Sequence, residues 1–321
     1  MVGDQGYSAV RDKITDELNS SSLSVDAKRV KTRVNLGNLN YVVDKDKLSI
    51  NLSDNNEALI SGGIYARTGR TVNMVDISVR DRYFAETDDY FWVPFLLEPS
   101  VVRNKNEIIS EKNYEFSADG VYERGKRFPG QKLEGTVKYK IDEKGILTLS
   151  YDIQAVNTSG IFLEAGVSLK LPENLTDVQW VGDGPYHGYP DKYKLNNFGF
   201  HYLKKGDINF NGNRRNVELA VITDSEGNGI AVLGDRSDIS FEVKDKSIIL
   251  SHNALLTGLS NKKTIPLYLV DAKNVTEIKG GFRIIPLSKD TWPSKLRELI
   301  SVPDPDLKPF MPYYHCYDYS R

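Results

Sequence analysis

The stretch Val137-Lys138-Tyr139-Lys140-Ile141-Asp142-Glu143-Lys144-Gly145-Ile146-Leu147-Thr148-Leu149-Ser150-Tyr151-Asp152-Ile153-Gln154 decides the fold class. Val137, Tyr139 and Ile141 alternate with two lysines. After the turn signal Asp142-Glu143-Lys144-Gly145, Leu147, Leu149, Tyr151 and Ile153 alternate with Thr148, Ser150, Asp152 and Gln154. A period of two marks a strand with one dry and one wet face, so this is a β-hairpin in an antiparallel sheet.

The same pattern recurs on both sides. Val167, Leu169 and Leu171 alternate with Ser168 and Lys170. Val217–Ile222 and Ile230–Leu233 flank a turn over Asp224–Gly229. Ile239, Phe241 and Val243 alternate up to the Asp245-Lys246 turn, and Ile248–Leu250 follow; Ile265–Val270 read as a further apolar strand. Tyr90-Phe91-Trp92 with Pro94–Leu97 read as a buried strand, and Phe198–Tyr202 as an alternating one; both are assigned to the core. Helical spacing occurs twice. Tyr7, Val10, Ile14 and Leu18 fall three or four apart before Asn19-Ser20-Ser21-Ser22, and Leu296, Leu299 and Ile300 follow Pro293 and precede Pro303. The expected organisation is a helical N-terminal segment and linker over 1–32, an all-β antiparallel supersandwich over 33–289, and a short helix with an extended Tyr/Pro-rich tail over 290–321.

Composition narrows the function. The 321 residues carry 42 basic and 44 acidic side chains, interspersed, for a net charge of −2. No concentrated field favours nucleic acid or an anionic membrane as partner. No apolar run reaches the ~20 residues needed to span a bilayer. The single cysteine, Cys316, excludes an intrachain disulfide and a Cys-rich zinc site. The four histidines stand at no metal-ligand spacing, so no metal or other cofactor is expected. Met1–Gln5 has neither a basic nor an apolar leader region, so no signal peptide is visible and the compartment, periplasm or cytoplasm, stays open.

The most distinctive stretch is Val178-Gln179-Trp180-Val181-Gly182-Asp183-Gly184-Pro185-Tyr186-His187-Gly188-Tyr189-Pro190-Asp191-Lys192. Glycines and prolines here predict a rigid loop leaving a strand and presenting Tyr186, His187, Tyr189 and Asp191. Rings beside planar polar groups suit a sugar, whose C–H faces stack while its hydroxyls pair with carboxylates and amides. The same residues also suit a buried turn that locks one end of a sandwich.

This stretch resembles the Trp-x-Gly-x-Gly-Pro-x-Glu-x-Tyr-Pro-Asp-Arg segment of the fifth domain, or small chain, of family-two β-galactosidases. Trp180, Gly182, Gly184, Pro185, Tyr189, Pro190 and Asp191 match in register. Gly212-Asn213-Arg214, His252 with Leu255, Val270-Asp271 and Asp290-Thr291-Trp292-Pro293 follow in family order, and Gly37-Asn38 opens the domain. The resemblance spans roughly residues 33–293. His187 stands where the family has Glu, and Lys192 where it has Arg. The family's early Arg-Ala-Pro-x-Asp-Asn-Asp run is absent, Tyr65–Arg70 standing in its place; Gly280-Gly281 is set apart from Asp290 by Phe282–Lys289.

The resemblance implies a galactose mutarotase-like supersandwich. It further implies a carbohydrate-active accessory module that packs on a catalytic barrel and helps complete its galactoside pocket. Trp292 and Asp290 are then sugar-contact candidates beside Tyr186, His187, Tyr189 and Asp191, although Trp292 could equally pack on Leu296. A (β/α)₈ barrel needs ~250 residues and eight helices, so catalysis by this chain alone is not expected. Asp88, Asp89, Glu98 and Glu164 lie in or near apolar stretches, but nothing pairs them as a retaining glycosidase requires. The alternative is a free-standing sugar-binding protein or aldose epimerase, with His187 and His252 (or His201) as acids and Glu277 or Asp271 as base.

Overall fold

The alternating stretch around residue 145 forms two adjacent interior strands of a large antiparallel sheet. The structure, a computed structural model, describes residues 13–72, 76–78, 90–258, 265–289 and 292–299. Asp88, Asp89, Asp290, Thr291, Cys316 and the Tyr/Pro-rich tail lie outside the described residues, as do the side chains of Leu299 and Ile300 and the start of the first helical segment.

The first sheet is a five-stranded meander of β1 (Leu23–Ala27), β2 (Lys31–Leu36), β3 (Leu39–Asp44), β4 (Ser49–Asp54) and β5 (Glu57–Ser61). The chain then enters the large sheet with β6 (Ile64–Arg67), β7 (Leu96–Leu97), β8 (Val101–Ile109), β9 (Asn113–Glu123), β10 (Lys132–Asp142) and β11 (Leu147–Val156). After the short β12 (Ile161–Phe162) come β13 (Glu164–Lys170), β14 (Asp177–Gly184), β15 (Asn197–Lys204), β16 (Gly212–Thr223), β17 (Gly229–Lys244) and β18 (Ser247–Leu256). The last strands are β19 (Val270–Asp271), which pairs with β12, and β20 (Ile278–Leu287). The large sheet has 13 strands in the order β7-β6-β13-β18-β17-β20-β11-β10-β9-β8, with β16, β14 and β15 branching from β17. The fold is an all-β supersandwich with short helices near both ends.

The main core lies between the sheets. Val34, Tyr41, Val43, Ile50 and Leu52 share one apolar cluster with Tyr114, Phe116, Tyr139, Leu149 and Tyr151. The Tyr139 hydroxyl donates to Leu48 O at 2.7 Å and the Tyr41 hydroxyl to Gly145 O at 2.6 Å, so both rings are buried without an unpaired hydroxyl. Over Val217–Thr223 of β16 and Gly229–Gly234 of β17 both faces are buried, which explains the continuous apolar runs there. Ala220, Ile222, Val232 and Ile284 face the main core. Leu219, Val221, Leu233 and Ile285 face a second cluster, closed by Ile14 and Leu296.

Leu296 belongs to α1 (Ser294–Leu299). Its start is held by Glu17, from the 3-10 turn Thr15–Glu17: the carboxylate accepts from Ser294 Oγ at 2.9 Å and from Lys295 N at 3.2 Å. Satisfying free N–H groups at a helix start with a carboxylate is the usual stabilising arrangement.

Three readings change on contact with the structure. Ile265–Val270 is not one strand: Ile265–Tyr268 is a 3-10 turn, and only Val270-Asp271 pairs. Pro266 has no N–H to give a ladder, which favours the turn. Strand β13 has no wet face before Lys170. It lies between β6 and β18, and Ser168 Oγ meets Ser251 Oγ at 2.8 Å in the interior. Phe91 makes an isolated bridge to Ile161 rather than a strand, with Tyr90 and Trp92 buried as expected.

Candidate functional site

Strand β14 delivers the chain into the loop 185–192, which turns back through a bridge between Tyr189 and Lys192. The loop is fastened from beneath by Gly212-Asn213 at the start of β16. Gly188 N donates to Asn213 O at 2.8 Å, and Asn213 Nδ2 donates back to Gly188 O at 2.9 Å. Gly212 has φ +129, and a β-carbon there would lie 3.1 Å from His187 Cβ. Only glycine gives both that backbone angle and that approach. Asn196 Oδ1 accepts from Tyr186 N at 3.0 Å and fixes the loop's outer side.

Tyr189 points inward, 1% exposed. Its hydroxyl donates to Glu164 Oε1 at 2.9 Å and accepts from Asn213 N at 3.2 Å. Glu164, fully buried, also accepts at Oε2 from Arg67 Nε at 2.7 Å, Ser240 Oγ at 3.0 Å and Asn253 Nδ2 at 3.3 Å. Sheet register assembles these donors. Asn213 pairs with Ser240, and Asp238 with Asn253, so alternation puts all four on one face. Arg67 also donates to Glu242 Oε2 at 3.0 Å. Burial pushes the Glu242 carboxyl up, but Arg67 and Thr71 outweigh it and hold the group below its ordinary value. A carboxylate that accepts from four donors is a fastening point for the loop.

Among the predicted site residues, Tyr186 and His187 are half-buried. His187 Nε2 lies 2.8 Å from Lys192 Nζ, which can only donate. Burial and the charges of Lys192, Arg214 and Arg70 push His187 down to about 3. The Asp191 carboxyl lies against Gly258, where a β-carbon would come within 2.8 Å of it.

His252 occupies a different environment. On β18 it alternates with Asn253 and so faces away from Glu164. Its Nδ1 meets the Tyr151 hydroxyl at 2.8 Å, its Nε2 meets Ser237 Oγ at 3.1 Å, and its ring stacks on Phe282. Burial pushes it down to about 4. The structure therefore does not bring His187 and His252 together. Of the other acid–base candidates, His201 packs at a tilt against Trp180, Asp271 accepts from Lys273 N, and Glu277 pairs with Lys279 at the surface.

Trp292 is also distant from the loop. Its indole packs on the second cluster and donates to Gly227 O at 2.8 Å, in the turn joining β16 to β17. That turn adjoins the Asp177 end of β14, whereas the loop leaves the Gly184 end. Seven residue steps at ~3.3 Å put roughly 23 Å between the two ends.

Glu164 was visible in the sequence as an acid inside the otherwise apolar run Ile161–Val167, and the structure buries it fully. Arg67, Arg70, Ser240 and Asn253 carried no comparable signal.

Residues 38–255, from β3 into β18, match the β-galactosidase small chain family. They include Arg67, Glu164, the loop and Asn253. A β-galactosidase of Lactobacillus delbrueckii subsp. bulgaricus is 29% identical over 111 residues, 33% of this chain and 11% of that protein. One of Oenococcus oeni (strain ATCC BAA-331 / PSU-1) is 27% identical over 70 residues, 22% of this chain and 7% of that protein. The matches thus span about a tenth or less of these curated relatives. Among solved structures, a galactose 1-epimerase from Lactobacillus acidophilus NCFM aligns with a TM-score of 0.45 at 9% identity, covering 83% of this chain and 97% of that one.

Proposed function

The chain belongs to the β-galactosidase small chain family, and from that membership we propose that it is a carbohydrate-related accessory module that packs on a catalytic barrel and contributes to its galactoside pocket. The observation that carries this reading is the loop 185–192. It is fastened by Tyr189 to Glu164 and by Gly188 to Asn213, and it leaves Tyr186 half-buried and Lys192 exposed. A rim held this firmly suits docking and positioning, because little conformational freedom is lost on contact. The deepest carboxylate and His252 are both engaged in internal hydrogen bonds, which favours an accessory role over an acid–base one.

The test is to combine the purified chain with the catalytic part of a β-galactosidase lacking its own small chain. The expected result is co-elution in size-exclusion chromatography and higher turnover of an aryl β-galactoside, both reduced by Tyr186→Ala. Separate elution with unchanged turnover would overturn the reading.

A further inference from the structure

Several buried donors around Tyr189 have nothing to donate to. Arg214 is fully buried beneath the loop. Its Nη atoms reach only main-chain carbonyls, those of Gly212, Asn213 and Phe210 at 3.2 Å each and that of Asn209, and its Nε has no partner. No carboxylate meets it among the described residues. Arg70 stacks 5.1 Å from the Tyr189 ring centroid. Its Nη atoms are occupied by Asp76 and by Gly258 O, but its Nε is also buried without a partner. His187 lies 6.0 Å from the same ring. Lys192 can only donate to His187 Nε2, so the ring proton of the neutral imidazole belongs on Nδ1. That Nδ1 is buried and unpartnered.

The result is three orphan N–H donors and two buried guanidinium groups, that of Arg70 against the Tyr189 ring and that of Arg214 5.2 Å from the Trp180 ring centroid. The buried acids nearby are already committed: Glu164 has four donors and Asp76 is paired with Arg70. Buried donors without acceptors are costly, and His187 lies within reach of the charges of both Arg214 and Arg70. Burial also draws Arg214 down to about 10, as expected of a cation with no anion at hand.

We infer that the cluster of His187, Arg214 and Arg70 around Tyr189 is a binding site for a small oxyanion, which supplies the missing acceptors and neutralises the Arg214 charge. The inference does not depend on a catalytic partner. It applies to the module by itself and fails or stands apart from the accessory reading.

Thermal unfolding of the intact chain tests it. Sodium phosphate and sodium acetate are each titrated against sodium chloride at matched ionic strength, which separates a phosphate-like from a carboxylate-like occupant. A ligand that binds only the folded state raises the midpoint in proportion to its occupancy, by about 3–4 °C at a hundredfold excess over Kd. The expected result is such a rise for at least one oxyanion, with a smaller response in His187→Glu, whose own carboxylate occupies the site, and in Arg214→Lys. Isothermal titration calorimetry should show the same ranking, and wild type against His187→Glu remains decisive if Arg214→Lys does not fold. Midpoints that follow ionic strength alone, or an equal oxyanion response in wild type and His187→Glu, would overturn the inference.

Discussion

The Tyr189 hydroxyl lies 2.9 Å from Glu164 Oε1. This single bond joins the most distinctive loop of the sequence to the deepest carboxylate of the sandwich. Tyr189→Phe leaves Glu164 and Asn213 N each one partner short. The expected loss is about 1.5–3 kcal/mol, the range for hydrogen bonds to charged groups. Denaturant midpoints measure it, and amide exchange at Gly188 and Asn213 should accelerate more than in the β10–β11 hairpin.

Removing the carboxylate should cost more. Glu164→Ala leaves Arg67 with Glu242 alone and strips Ser240, Asn253 and Tyr189 of their acceptor. Breaking a buried ion pair from one side costs roughly 3–5 kcal/mol. Glu164→Gln, which keeps an acceptor oxygen, should fall between Ala and wild type in chemical denaturation; equal midpoints for all three would show that the network contributes nothing.

Gly184→Val should destabilise the strand end by about 1–3 kcal/mol, as overpacking does. A β-carbon at 184 would come within 2.5 Å of the His201 ring, itself held at a tilt with its centroid 5.1 Å from that of Trp180. The cause is steric, since Gly184 is not among the positive-φ glycines. His201→Ala should recover part of the loss in the double mutant, measured by the coupling between the two changes.

Stability should fall with acidification above the carboxylate range. His252 is held down to about 4 against an ordinary 6.5. Between those values the unfolded chain takes up a proton that the folded chain refuses. The His252 contribution is therefore fully present above about pH 6.5 and is lost as pH falls towards about 4, on the order of 3 kcal/mol in all. Urea midpoints at about pH 7.5, 6 and 5 should drop steadily in wild type and less steeply in His252→Gln.

Trp292→Phe removes the indole bond to Gly227 O while keeping most of the ring. A loss of about 1 kcal/mol is expected, the net worth of an ordinary hydrogen bond. Amide exchange in the turn 224–228 should report it locally.

The hairpin at 132–156 was legible because its alternation is unbroken and one face stays wet. Strand β13 was legible as a strand but not in its surroundings. Ser168 and Lys170 look alike in a binary pattern, yet Ser168 finds Ser251 across the ladder and stays dry. The 3-10 turn at Ile265–Tyr268 was misread because apolar content is shared by strands and buried turns, and the weight of Pro266 was missed. The loop was legible through its glycines and prolines. What held it was not, since Arg67, Glu164, Asn213, Ser240 and Asn253 meet only through sheet register. No local window contains that information.

The clip between Glu17 and Ser294 spans 277 positions of sequence. It brings the first described turn and the last described helix side by side, so a pull applied through those two segments does not stretch the sandwich from opposite poles. It loads a few exposed hydrogen bonds and the seat of Leu296, one after another, like opening a zip. In a single-molecule pulling experiment with handles at these two positions, the first event should be a short, low-force lengthening as α1 peels away, with the sheets rupturing later and at much higher force.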